Sequence, residues 1–121
     1  MLRRLAPLSL LLLSTALGAC AKKDKLDATV EASQVWQERC VTCHGSTGAG
    51  DGPAARGLKA RPRSFQDPAW QASVTNERIK QVIVKGGSAV GLDGAMAPNP
   101  DLADKPEVQD ELVKKIRALV K

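Results

Sequence analysis

The chain has 121 residues and carries 18 Lys and Arg against 13 Asp and Glu, a formal charge of +5, a length that leaves room for one domain and argues against several folded units. Only Trp36, Phe65 and Trp70 are aromatic, so a domain of this size has a thin core unless another apolar body fills it. The basic excess comes with no nucleic-acid-binding motif, and nucleic acid is not an expected partner.

Arg3 and Arg4 precede an apolar run from Leu5 to Leu17. That run is too short for a stable membrane-spanning helix and suits the hydrophobic part of a secretory signal. The rest of a twin-arginine motif is missing, which favours the general secretory route. Leu17-Gly18-Ala19-Cys20 resembles a bacterial lipobox, so residues 1–19 are expected to leave and Cys20 to be acylated as the first mature residue. The alternative is an ordinary cleavage site beside a chance cysteine, but an unpaired thiol in an oxidising compartment is a liability. Residues 20–29, with Lys22, Lys23, Asp24, Lys25 and Asp27, read as a charged, lipid-anchored tether before a domain over 30–121. The expected place is the periplasmic side of the bacterial cell envelope, with Ala21 after the cysteine slightly favouring the outer over the inner membrane.

Ala32, Val35 and Trp36 share one face at helical spacing, predicting an amphipathic helix from about Glu31 to Cys40. It leads into Cys40-Val41-Thr42-Cys43-His44, the arrangement that covalent haem attachment requires. Each thiol adds across a vinyl group, and the adjoining imidazole reaches the iron. A thioredoxin-like dithiol would want a preceding strand and a parallel sheet, and zinc would want four ligands where His44 is the only histidine.

Gly45, Gly48, Gly50 and Gly52 then make a turn-rich stretch ending in Pro53, read as a loop able to pass close to a flat ligand. The paired glycine, lysine and hydroxyl pattern of a phosphate-binding loop is absent. A helix is predicted from about Asn76 to Lys85, with Thr75 as N-cap, an apolar face of Ile79, Val82 and Ile83, and Gly86-Gly87 as the stop. Glycines and prolines keep the stretch from Gly91 to Pro100 out of helix and central strand. Met96 lies in it. It is the only methionine besides Met1, so it is the available sixth ligand if the iron has a strong one from the protein, with core packing as the alternative. Val108, Leu112, Ile116, Leu119 and Val120 predict a final helix from about Glu107 to Val120, its stripe facing that of Ala32 and Trp36.

In this joint order, residues from about Glu31 to the C-terminus resemble a class I cytochrome c. The resemblance implies an all-α fold, few helices and long loops wrapped around one covalently bound haem c. It implies cofactor contacts from Cys40, Cys43, His44, Met96 and Pro53, with His44 and Met96 on the iron and the Pro53 carbonyl accepting from the proximal imidazole. Leu58 resembles the leucine that packs on the haem face. No tyrosine is available for a propionate, leaving Trp70, Arg61 or Arg63 to serve.

With both axial positions filled, the expected activity is one-electron exchange, a carrier rather than an enzyme, between a redox donor and acceptor such as a respiratory complex or oxidase. A haem sensor or small enzyme with a labile Met96 is the rival reading, and a permanently docked subunit of a larger complex is the third. Without Arg3 and Arg4 the chain keeps 16 basic residues against 13 acidic ones, so strong steering by net charge is not expected. A local patch of Arg56, Lys59, Arg61 and Arg63 could still guide docking to an acidic partner.

Overall fold

A computed structural model describes residues 16–121, with side chains from residue 22 onward. Residues 5–15 of the expected signal run and the side chain of Cys20, expected to be acylated, lie outside the described residues.

Helix α1 spans Ala16–Val35, so the charged stretch expected to be a tether is helical. Its side chains from Lys22 to Asp27 are exposed, but Ala28 is buried. Ala28 is the first buried residue among those with described side chains. Helix α1 passes directly into a π-helical turn, Trp36–Cys40, and then into α2, Val41–His44. The wider turn is closed by the Val41 N–H donating to the Trp36 carbonyl. One extra residue per turn changes the register of the helix face. Upstream of the turn, Ala28, Ala32 and Val35 are buried, and Trp36 joins them at 3% exposure.

Their partner is α5, Pro106–Arg117, which buries Val108, Leu112, Val113 and Ile116. Pro106 suits the first helical position because its missing N–H has no acceptor there. Glu107 in the first turn and Lys114, Lys115 and Arg117 in the last match the helix dipole. The helix stops at Arg117, so Val120 of the expected stripe is exposed and Val113 takes a core position instead. The Lys105 ammonium donates to Glu31 at 2.6 Å, tying the start of α5 to α1.

Between these helices lie α3, Pro68–Ser73, and α4, Asn76–Lys85. Helix α4 has the expected bounds, and the Thr75 hydroxyl accepts from the Arg78 N–H at 3.1 Å. Helix α3 was not expected, being too short to show a period. Its sequence signal is Asp67-Pro68, an N-cap followed by proline, and Asp67 accepts from the N–H groups of Ala69 and Trp70. Short 3₁₀ turns at Ala55–Gly57, Ser88–Val90 and Pro100–Leu102 complete the fold. The last of them delivers Leu102, wholly buried, to the core. No strand occurs among the described residues.

Candidate haem site

Cys40 ends the π turn and Cys43 and His44 end α2, so three chemically distinct groups leave one helical segment within about a turn of each other. The helix end is closed by the loop that follows. The N–H groups of Gly50, Gly52 and Ala54 donate to the carbonyls of His44, Cys43 and Thr42 at 2.8, 3.1 and 2.9 Å, satisfying acceptors that a helix C-terminus leaves open. A Cβ on Gly52 would run into the backbone carbonyls of Val41 and Thr42. This glycine is needed for a close approach of backbone to backbone. The sequence reading gave the glycines to a flat ligand, yet none of Gly45, Gly48, Gly50 and Gly52 lines the cavity described below.

The same loop holds the segment that orients His44. Phe65 N–H donates to the Gly48 carbonyl at 2.7 Å, which seats residues 62–65 against the imidazole. His44 Nδ1 lies 3.0 Å from the Arg63 carbonyl. A carbonyl can only accept, so Nδ1 carries the proton and Nε2 keeps the lone pair that a metal needs. The acceptor beside His44 is thus the Arg63 carbonyl and not the expected one of Pro53, which is exposed and does not line the cavity. Proximity in sequence selected the first proline after the motif. The chain instead returns to His44 through Pro62-Arg63, after the 3₁₀ turn. Phe65 stacks on the imidazole with centroids 4.4 Å apart and planes 16° from parallel. Phe65 also packs against Trp36 and Trp70, joining the three aromatics around the motif helix. Burial lowers the His44 pKa, opposed in part by the Arg63 carbonyl, and favours the neutral imidazole that coordinates metal. Burial likewise pushes the Cys40 thiol up to about 11.

Cys40, Cys43 and His44 open onto a cavity of about 440 Å³, within the roughly 300–1,000 Å³ of cofactor pockets. Its apolar walls include Leu58, Val74, Ile79, Val82 and Ile83. Met96 reaches the same cavity from a separate loop, half-buried. That loop is pinned to the end of α4, where the Gly87 N–H donates to the Met96 carbonyl at 2.8 Å and Asn99 Nδ2 donates to the Ile83 carbonyl at 2.9 Å. A Cβ on Gly87 would overlap the Asp93 carbonyl. The two glycines expected only to stop α4 thus also make room for the Met96 loop. Trp70, Arg61 and Arg63, expected near a propionate, all line the cavity, and Arg39 and Arg78 do so as well.

Two thiols, one neutral imidazole and one thioether around an apolar cavity form a donor set that fits covalent haem. Phe65, the Arg63 carbonyl and Arg39 are the contributors that the sequence reading missed. No periodic or motif signal marks a backbone carbonyl or a lone arginine, although the Pro62-Arg63 pair offered a second proline for the acceptor's neighbourhood.

A family model described as cytochrome c oxidase, cbb3-type, subunit III matches residues 27–118. Among solved structures, a protein named KustC0563 c-type cytochrome is 32% identical, with a TM-score of 0.56, over 74% of this chain and 98% of its own. No curated protein matches.

Proposed function

The chain belongs to the c-type cytochrome family described as cytochrome c oxidase, cbb3-type, subunit III, and on that premise we propose that it is a one-electron carrier between respiratory partners in the bacterial cell envelope. Membership, together with Cys40, Cys43 and His44, gives it one covalently bound haem c. Bound there, the haem supplies a one-electron couple at its iron.

In the proposed reading, His44 and Met96 hold the iron from both sides. The observation that carries it is the meeting of the motif and Met96 on one cavity from different elements. Met96 is the only thioether among the described residues, and His44 the only imidazole in the chain. The Arg63 carbonyl orients His44 and raises its basicity as a ligand. Leu58, Val74 and Val82 line the cavity with apolar groups that would disfavour water, and a thioether and an imidazole as the iron's ligands would favour the ferrous state relative to two imidazoles. Arg61, Arg63 and Trp70, which line the cavity, would receive the propionates.

Met96→Ala tests the reading. The oxidised wild type should show the weak sulfur-to-iron band at the red end of the visible spectrum, and the reduced wild type should bind carbon monoxide slowly. The variant should lose the band, bind carbon monoxide readily and show a lower reduction potential. Rapid carbon monoxide binding by wild type, with an unchanged Met96→Ala spectrum, would return Met96 to a packing role and favour a sensor.

The lipobox-like Leu17-Gly18-Ala19-Cys20 supports export and anchoring on the periplasmic face, with the outer membrane slightly favoured. Mass spectrometry of the mature N-terminus should find acylated Cys20. An unmodified terminus elsewhere would remove the anchor. A second reading, a docked subunit of a larger oxidase, draws on the family description. Purification from native membranes under mild detergent separates the two, since a free carrier elutes alone.

A further inference from the structure

Arg39 stands immediately before the first haem-binding cysteine, at the end of the π turn, and it is exposed. Its guanidinium does not simply face solvent. Nη1 donates to Asp101 Oδ1 and Oδ2 at 2.9 and 3.0 Å and to Asn99 Oδ1 at 3.2 Å. Asn99 is itself anchored to α4, with its backbone N–H and its Nδ2 on the Ile83 carbonyl. Three pieces of chain meet there: the motif helix, the end of α4, and the segment that follows Met96. Among the described residues, these are the only side-chain hydrogen bonds that join residues 36–44 directly to residues 91–102.

The rest of the Met96 loop is tied to itself and to α4 rather than to the motif helix. Gly91 to Ala95 are exposed, and Leu92 is 53% exposed. The Gly87 N–H on the Met96 carbonyl, the Leu92 N–H on the Gly87 carbonyl and Arg78 on the Val90 carbonyl fix the loop to α4 but not to the helix bearing Cys40 and His44.

We infer that Arg39 is a positioning residue that latches the Met96 loop to the motif helix through Asp101 and Asn99, setting how often the thioether leaves the iron. The inference rests on the ligation by Met96 proposed above. An exposed ion pair contributes little to global stability because water screens it and ordering two side chains costs entropy. It can still bias a local opening that involves few other contacts. The latch therefore acts on the rate at which the sixth position becomes accessible, with a small effect on unfolding.

The experiment uses the full-length haem-loaded protein, oxidised, with cyanide as the probe. Arg39→Ala and Asp101→Ala should each speed cyanide uptake about two- to fivefold, the range that exposed ion pairs supply. The double variant should be no faster than the faster single one. Exchange of the charges, Arg39→Asp with Asp101→Arg, should recover a rate nearer to wild type. In 1 M salt, where screening acts within about 3 Å, the wild-type and variant rates should converge. The thermal midpoint should hardly move. Met96→Ala and the sulfur-to-iron band separate the two levels of the reading. If wild type has the band, Met96→Ala loses it, and both latch variants take up cyanide at the wild-type rate, the latch is overturned and the ligation stands. Additive effects in the double variant, or a faster uptake that tracks a fall in thermal midpoint, also overturn the latch. A wild type without the band overturns both. Asp101→Ala lies far in sequence from the attachment motif, so it decides the matter even where Arg39→Ala loads haem poorly.

Discussion

The motif side of the cavity grows out of the core, whereas the Met96 side is hung from its surface. His44 is buried under Phe65, and the helix that carries it continues upstream into Ala32, Val35 and Trp36, packed on Leu112 and Ile116 of α5. Moving this imidazole would mean disturbing the aromatic cluster, the glycine-rich loop and the central helix pair together. Met96 sits among exposed neighbours, and its loop is held by backbone bonds to Gly87 and within itself, by the Asn99 contacts and by the Arg39–Asp101 pair. Such a division makes His44 a structural element and Met96, the second ligand in the proposed reading, the group that a small free energy can move.

The largest effect should come from breaking the core side. Leu112 is 1% exposed, and Leu112→Ala should cost about 2–5 kcal/mol through lost burial and the cavity left behind. Against a domain stability of roughly 5–15 kcal/mol, that is a large share. Denaturant unfolding of the haem-loaded protein measures it. Because the substitution is on the α5 side, protein that remains folded should keep its sulfur-to-iron band. Loss of the band at unchanged stability would mean that the two sides are not separable as described.

A smaller and more local effect is expected on the other side from Gly87→Ala. The added Cβ meets the Asp93 carbonyl, and relieving such an overlap typically costs about 1–3 kcal/mol. The Met96 loop is the part free to shift. The variant should therefore retain covalent haem and most helicity while losing sulfur-to-iron absorption and gaining rapid carbon monoxide binding. A wild-type spectrum would show that the loop absorbs the methyl without moving Met96.

The smallest effect concerns acid. The hydrogen bond from Arg39 chiefly, with the Arg39 and Lys105 charges also contributing, holds the Asp101 carboxyl below the usual aspartate range. A lowered folded-state pKa means that the pair contributes above the unfolded value of about 3.9 and that this contribution is lost as pH falls through the lower folded value. The stability difference between wild type and Asp101→Asn should thus be flat from neutral pH to about pH 4 and shrink below it. The Asp101 side chain is 49% exposed, so water screens the pair and the change should be small. A difference that grows as the pH falls would contradict the assigned sign.

What the sequence determined by itself is the part governed by neighbours along the chain. Cys40, Cys43 and His44 announce attachment because three adjacent helical positions bring their own geometry. Asn76–Lys85 was readable because Thr75, the spacing of Ile79 and Ile83, and Gly86 are all local signals. The partnership of the first and last helices followed from their two stripes. Tertiary structure alone decided the rest. The proximal acceptor is the Arg63 carbonyl rather than Pro53 because the chain folds back over α2, and any backbone carbonyl on the returning segment can serve, whatever its side chain. The helix is already formed at Ala16, the first described residue, although the charged run within it shows no apolar stripe and so offered no period to read. Gly52 and Gly87 are fixed by carbonyls of other segments, and Arg39 finds Asp101 across 62 positions of chain. A code carried by spacing reports contacts made within a few turns, and these contacts exist only once distant segments share a surface.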